Sequence, residues 1–268
     1  PQNISVVNRY RLYGANVVCD ANLAINPNGN PTTVALIDGT VMAPYQPAPG
    51  TQTYNGVISG NGGFVQRGTG TTILNGANTF SGSTTPTTGA IGLGNNAALG
   101  TGVLNISPET GSASSSGTIF ASGGARTIAN TIQYPYGTTN QTLIIGGTNA
   151  ITFTGAYNLS GALDGLGTNR TLQVTNPAAT IFSGVISDSG TASGLNKTGV
   201  GALYLNAAET YTGPTTVSAG RLAGTGSLAG PVAVQTNSSI GGGSAAGIGT
   251  FTVNNNLSFT NGNVFVRI

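Results

Sequence analysis

The chain has 268 residues and a net charge of +2; only 5% of its residues are charged, 44 are glycine, and none is histidine or tryptophan. Without histidine it can build neither a serine–histidine–aspartate triad nor a zinc site of cysteine and histidine. Its eight lysine and arginine residues are scattered, which argues against the continuous basic surface of a nucleic-acid-binding protein. Its apolar runs are far shorter than the ~20 residues of a membrane-spanning helix, so no membrane span is expected.

The N-terminal segment, residues 1–55, lies outside the internal repeat described below. It begins at Pro1 instead of methionine, which is expected of a mature secreted chain whose leader has been removed. The apolar side chains of its first strand-like stretch are Ile4, Val6, Tyr10 and Leu12. An open sheet edge needs a cover, so we predict that this stretch caps the first rung of the fold or adds as a strand to a neighbouring subunit.

The single cysteine, Cys19, lies within an alternating pattern that extends from Ala15 to Ile25 and places small and apolar residues on one face. One cysteine cannot form an internal disulfide. We therefore predict either a buried Cys19 side chain or an intermolecular disulfide.

From residue 56 onward, short segments that alternate apolar and polar residues are separated by clusters of Gly, Asn, Ser, Thr and Pro. This pattern predicts β-strands joined by turns and no helix. Representative predicted strands are Thr71 to Leu74, Gln141 to Ile145, Ile151 to Thr154, Thr171 to Thr175, and Phe251 to Val253.

An internal repeat organises this region. The segment from Gly68 to Gly82 recurs 131 residues later, from Gly199 to Gly213, and the two copies lie near 56–106 and 184–234. Short strands with glycine or asparagine turns that repeat in this way predict a β-solenoid over residues 56–268, in which each rung covers the next. At ~20 to 25 residues per rung, the whole chain forms roughly a dozen rungs, and about six separate the copies.

The second copy contains Lys197-Thr-Gly199, an alternating strand, Glu209-Thr-Tyr-Thr-Gly213, then Thr215-Thr-Val217 and a closing Gly220-Arg-Leu222. This order closely resembles the autotransporter-associated β-strand repeat. The first copy departs from the motif at Arg67 for the lysine and at Pro86 for the valine. The resemblance implies a right-handed parallel β-helix and a passenger-type protein of the bacterial cell surface.

Candidate catalytic residues are few. The acidic residues are scattered, and aspartate beside glycine is typical of turns, so we expect no catalytic, cofactor or metal site and no enzymatic activity. Tyr134 and Tyr136 flank a proline and are predicted either to face a sugar ligand or to be ordinary turn aromatics. The full set of acids is Asp20, Asp38, Glu109, Asp164, Asp188 and Glu209.

These expectations favour a structural extracellular protein: a β-solenoid subunit or segment of a surface fibre, filament or stalk. The alternative is an autotransporter-type adhesin passenger that binds host or biofilm polysaccharide. No recognisable cap closes either end of the solenoid, so end-to-end self-association is predicted. Its predicted contacts are Ile4, Val6, Tyr10, Leu12, Val264, Val266 and Ile268.

Overall fold

The computed structural model describes residues 50–66, 69–107, 116–135, 141–162 and 168–266, together with the backbone of residues 4–6, 16–19, 23–25, 34–38 and 67. Within these ranges the regular structure consists of strands, and the predicted absence of helix is confirmed there. Among the described residues there is accordingly no helix long and apolar enough to cross a membrane.

The strands are short, most of them two to five residues, because glycine and asparagine turns interrupt each alternating segment. In chain order they are β1 (Ile4–Val6), β2 (Asn16–Cys19), β3 (Leu23–Ile25), β4 (Val34–Asp38), β5 (Thr51–Tyr54), β6 (Ile58–Ser59), β7 (Gly63–Arg67), β8 (Thr71–Leu74), β9 (Thr84–Pro86), β10 (Ala90–Leu93), β11 (Leu104–Asn105), β12 (Thr118–Ala121), β13 (Arg126–Ile128), β14 (Ile132–Tyr134), β15 (Thr142–Ile145) and β16 (Ile151–Phe153). The second half contains β17 (Tyr157–Gly161), β18 (Arg170–Val174), β19 (Thr180–Phe182), β20 (Ile186–Ser187), β21 (Leu195–Thr198), β22 (Ala202–Leu205), β23 (Ala208–Glu209), β24 (Thr215–Val217), β25 (Gly220–Gly224), β26 (Ser227–Leu228), β27 (Val232–Val234), β28 (Ser238–Gly242), β29 (Thr252–Val253), β30 (Leu257–Phe259) and β31 (Asn263–Phe265).

These strands stack in parallel on three faces of one solenoid, and the chain visits the faces in turn. The first face is a single sheet of eleven strands, in the order β2-β5-β8-β10-β12-β15-β18-β21-β24-β27-β30. The second face contains β1-β3-β6 and later β13-β16-β19-β22-β25-β28-β31. The third face contains β4-β7-β9-β11-β14-β17-β20 and later β23-β26-β29.

The predicted parallel β-helix is confirmed by this topology. In the described part of the chain, eleven strands on one face correspond to eleven rungs, in agreement with the expected dozen or so, and at ~4.8 Å per strand the first face is about 48 Å long. The right-handed sense implied by the resemblance is also the sense that parallel crossover connections almost always adopt.

Strands on both sides of residue 55 belong to the same sheets. β2 pairs with β5, which in turn pairs with β8, and β4 pairs with β7, so the rungs formed by the N-terminal segment are continuous with those of the repeat region. Cys19 lies opposite Tyr54 in this register. β1 pairs with β3 of its own chain, at the outer edge of the second face.

The core consists of columns of side chains that point into the solenoid from successive rungs. In one column on the first face the register aligns Leu143, Leu172, Lys197, Val217 and Val234, and each of these side chains is buried. Period-two alternation places these residues inside, because neighbouring residues of a strand point to opposite sides of the sheet. A lysine therefore lies within an otherwise apolar column.

The two repeat copies do not lie on the same face. The first copy places β7 and β9 on the third face and β8 and β10 on the first, whereas the second places β21 and β24 on the first and β22 and β25 on the second. From β7, five full rungs return the chain to the third face at β20, and β21 follows on the next face. The copies are thus separated by five and one-third rungs of about 25 residues each and are rotated by one face about the solenoid axis.

The register corrects one detail of the repeat alignment. β7 pairs Gln66 with Pro86, and β21 pairs Lys197 with Val217. Gln66, and not Arg67, therefore occupies the position of the motif lysine in the first copy. Pro86 is accommodated because it ends its strand.

Candidate functional site

Of the six acidic residues, Asp188 and Glu209 are those whose side chains the structure describes. Among the described residues no group of three His, Cys, Asp or Glu side chains lies close enough to hold a metal ion. Asp188 has a structural contact instead: its Oδ2 accepts hydrogen bonds from the backbone NH and the hydroxyl of Thr212, each at 2.7 Å. Ser189 and Gly190, with φ of 28° and 83°, form the predicted turn after it.

Tyr134 is not a ligand-facing residue, and that prediction is wrong. Its side chain is fully buried, its hydroxyl lies 2.7 Å from the hydroxyl of Tyr157, and burial raises its pKa to about 12. The signal was present in the sequence, because Ile132 and Tyr134 are two residues apart and both point inward. Tyr136 lies outside the described residues.

Arg170 is a second buried polar residue, and the sequence analysis did not single it out. It is 1% exposed, its Nε donates to the carbonyl of Leu159 at 2.8 Å, and its Nη1 donates to Oε1 of Gln141 at 2.9 Å. Its guanidinium carbon lies 4.0 Å from the centroid of the Tyr134 ring, a cation–π contact. Arg170 lies two residues before Leu172 in the same strand, and this spacing could have indicated that its side chain points inward.

Lys197 links two rungs through backbone carbonyls. Its Nζ donates to the carbonyls of Thr198 (2.9 Å) and Gly199 (2.7 Å) in its own rung and of Ala219 (2.9 Å) in the next. Burial lowers the pKa of Lys197 to about 8, because water is removed from the ammonium group. The motif lysine is therefore a structural donor that holds a corner of the solenoid.

Glu209 occupies the position that Asn78 holds in the first copy. The Oδ1 of Asn78 accepts a hydrogen bond from the NH of Ile58 (2.8 Å), and the Oε2 of Glu209 accepts one from the NH of Ile186 (2.5 Å), in each case from the preceding rung. Glu209 is 3% exposed, and burial raises its pKa to about 8, although the amides of Ile186 and Ala207 act in the opposite direction. Sequence reasoning missed this buried carboxyl group, which the repeat alignment could have indicated.

On the outer surface of the first face, Ile73, Gly92, Phe120 and Ile144 form an apolar patch, called here the Phe120 patch. Phe120 is half-buried, and its ring lies across Gly92 against Ile73: a Cβ built on Gly92 would lie 2.6 Å from the Phe120 Cζ and 3.2 Å from the Ile73 Cγ1. Glycine at this position thus leaves room for a flat ring on the sheet. Ile144 pairs with Thr118 one rung further on.

The last described rungs carry exposed apolar side chains. This end patch consists of Leu257, Phe259, Val264, Phe265 and Val266; Val264 is 62% and Val266 70% exposed. Beside it a cavity of about 220 Å³ is lined by inward residues including Ile240, Phe251 and Val253. The predicted contact residues Val264 and Val266 lie in this patch.

The other predicted contact residues are placed only in part. Ile4 and Val6 lie in β1, opposite Leu23 and Ile25 of β3. Tyr10, Leu12 and Ile268 lie outside the described residues.

Comparison with known proteins points to one family. The passenger-associated-transport-repeat family matches residues 64–89 and 195–223, which are the two repeat copies. Over 84 residues, or 31% of this chain, the sequence is 37% identical to a Brucella suis biovar 1 (strain 1330) protein described as adhesin BmaC autotransporter. The match spans about 2% of the length of that relative. No solved structure matches the chain.

Proposed function

Because this chain is a passenger-associated-transport-repeat protein of the autotransporter-passenger type, we propose that it is a rigid structural segment or subunit of a surface stalk or fibre and not an enzyme. The match to an autotransporter implies a cell-surface or extracellular location. The observation that carries the proposal is the continuous parallel stack of eleven strands on one face. Such a stack extends along one axis and can hold its ends apart.

The surface composition supports the same role. Outward positions on the first face are mostly uncharged, such as Thr51, Thr71, Thr118 and Thr171. Successive rungs are ~4.8 Å apart, so like charges in register would repel, whereas threonines tolerate the stacking. A neutral exterior therefore allows the rod to be long without electrostatic cost.

A display experiment tests the stalk proposal. The chain is placed between a heterologous autotransporter translocation unit and an epitope, and it is compared with an unrelated β-solenoid of equal rung number. Antibody access to the epitope should be equal for the two fusion proteins, and neither should release fragments from polysaccharides. If the epitope is accessible with this chain but not with the unrelated solenoid, or if glycans are cleaved, the proposal is contradicted.

End-to-end association of the solenoid is the partner interaction we propose, supported by the end patch. Exposed apolar side chains on a strand favour pairing with another strand. The double variant Val264→Lys, Val266→Lys should shift the purified chain to smaller species in analytical ultracentrifugation. Val200→Lys is the matched control, because Val200 is 83% exposed but lies at a turn beside β21. Equal behaviour of both variants would exclude the end patch as the contact.

A second candidate function is adhesion to a polysaccharide, favoured by the name of the Brucella relative and by the Phe120 patch. An aromatic ring that lies flat on a sheet among threonine hydroxyls offers an apolar surface and hydrogen-bonding groups to a neutral sugar. A glycan array should then show binding that Phe120→Ala abolishes and Tyr134→Phe leaves unchanged. If the parent chain binds no glycan, the adhesion proposal is wrong and the stalk proposal remains.

A further inference from the structure

The two repeat copies place different chemical groups in the same backbone setting. At Asn78 the neighbouring backbone bonds are Thr79 N to Ile58 O and Asn78 N to Ala97 O. At Glu209 the NH of Thr210 bonds to the carbonyl of Ile186, and Glu209 pairs with Leu228. Residues 79, 97 and 78 correspond to 210, 228 and 209 in the repeat, so a carboxyl group stands where the first copy has an amide.

The side-chain amide of Asn78 forms hydrogen bonds with both neighbouring rungs. Its oxygen accepts from Ile58, and its Nδ2 donates to the carbonyl of Ala98 at 2.7 Å. Glu209 reproduces the first bond with Oε2; its Oε1 is buried and has no partner at ordinary hydrogen-bond geometry, although the Ala207 amide acts on the carboxyl group and favours its charged form. An ionised carboxylate can only accept hydrogen bonds, whereas a protonated one has an O–H to donate. The residue at the place of Ala98 in the second copy is Ala229.

We propose that Glu209 is held as a neutral carboxylic acid that replaces an asparagine side chain, with Oε2 accepting from Ile186 and the Oε1 hydroxyl donating to the carbonyl of Ala229 in the next rung. Loss of this proton at higher pH leaves a buried carboxylate facing a carbonyl and loosens the contact between β20, β23 and β26. The second copy therefore contains a pH-sensitive link between rungs that the first copy lacks.

The strands β20, β23 and β26 contain no lysine or arginine, so they place no cation beside Glu209. The titratable groups nearby are Tyr211, whose pKa is raised by burial and by the adjacent Glu209 charge, and Asp188, whose carboxylate is bound by Thr212. Tyr211 is neutral in the relevant pH range and bonds to the hydroxyl of Thr215 at 2.6 Å.

The direction of the pH effect follows from proton binding. The pKa of Glu209 is about 8 in the folded chain and near the ordinary value of 4.5 after unfolding. Between these values the folded state retains a proton that the unfolded state releases, so the contribution of Glu209 to stability is greatest below pH 4.5, falls as the pH rises towards 8, and changes no further above it. In that window the local unfolding constant rises by up to about tenfold per pH unit. Lys197, with a pKa of about 8, stays charged through most of this window and adds little slope of its own.

The test combines a direct titration with local stability. Carbon-13 labelling of the glutamates gives two side-chain carboxyl signals, since Glu109 is the other glutamate, and Glu209→Gln assigns them. The Glu209 signal should titrate near pH 8. Hydrogen exchange at Ile186 should accelerate from pH 5 to 8, beyond the intrinsic pH dependence of exchange, in the parent chain and not in Glu209→Gln. A Glu209 signal that titrates near 4.5, or identical corrected exchange profiles, would overturn the proposal.

A reciprocal variant keeps the proposal testable if Glu209→Gln does not fold. Asn78→Asp introduces an isosteric carboxyl group at the equivalent position of the first copy, and exchange at Ile58 should become pH-dependent in the same direction. The carbon-13 titration of the parent chain requires no substitution beyond assignment, for which Glu109→Gln serves equally. A pH-independent Ile58 in a folded Asn78→Asp variant would contradict the role assigned to this position.

Discussion

At the scale of single residues, buried polar side chains hold this solenoid by satisfying backbone groups of another rung. Asn78, Asn130 and Asn176 each donate through Nδ2 to carbonyls of a neighbouring rung. Lys197 does the same with an ammonium group. Buried carbonyls that lack a donor cost free energy, so these side chains are part of the fold and not of a binding site.

Lys197 should be necessary for the second copy. Lys197→Met keeps the length of the side chain but leaves the carbonyls of Thr198, Gly199 and Ala219 without their donor. We expect a loss of about 1–3 kcal/mol in the free energy of unfolding, measured with urea, since relief of the buried charge offsets part of the lost bonding.

Lys197→Gln is the control for that substitution. Glutamine is the residue of the first copy at this position, where Gln66 is fully buried and accepts a hydrogen bond from the hydroxyl of Thr72 at 2.6 Å. Lys197→Gln should therefore cost less than Lys197→Met. Equal losses would mean that hydrogen bonding to the carbonyls is not what Lys197 contributes.

At the scale of the elements, glycine determines how closely one rung approaches the next. A Cβ built on the motif glycine Gly213 would collide with the backbone of Ser193 and Gly194, and one on Gly82 with the backbone of Gly62 and Gly63. A backbone neighbour cannot move aside as a flexible side chain can. The glycine that ends this turn in each copy, Gly82 or Gly213, is thus required by close packing of the rungs.

Gly213→Ala should therefore destabilise the chain by about 1–3 kcal/mol, a typical cost of overpacking, in thermal or denaturant unfolding. Gly247→Ala is the matched control, since the nearest atom to its Cβ would be the Ser244 Oγ at 3.9 Å. Similar unfolding midpoints for the two variants would show that the rungs can move apart at Gly213 without cost.

At the scale of the whole molecule, each rung contacts only its neighbours, so stability should be local along the axis. Lys197→Met should increase hydrogen exchange in β18 to β27 and leave β8 and β10, several rungs away, protected. Gly82→Ala should instead increase hydrogen exchange in β8 and β10 and leave β18 to β27 protected. Loss of protection along the entire rod in either variant would indicate a single cooperative unit.

Much of this architecture could be predicted from the sequence. Alternation at a period of two, frequent glycine and the 131-residue recurrence were sufficient for strands, parallel rungs and their approximate number, because these depend on local pattern and on repetition. The candidate site is less predictable: the proline beside Tyr134 is typical of a turn, although the spacing of Tyr134 from Ile132 places its side chain inside.

The pattern and composition of the sequence are sufficient to predict a repeating β-solenoid with few charges. That the two copies face different directions is visible in the fold alone, since their separation of five and one-third rungs depends on how many residues each corner takes up. The fold also decides the environments of Lys197 and Glu209. The pKa of a side chain depends on what the neighbouring rungs place around it, and those groups are about 20 to 25 residues away along the chain.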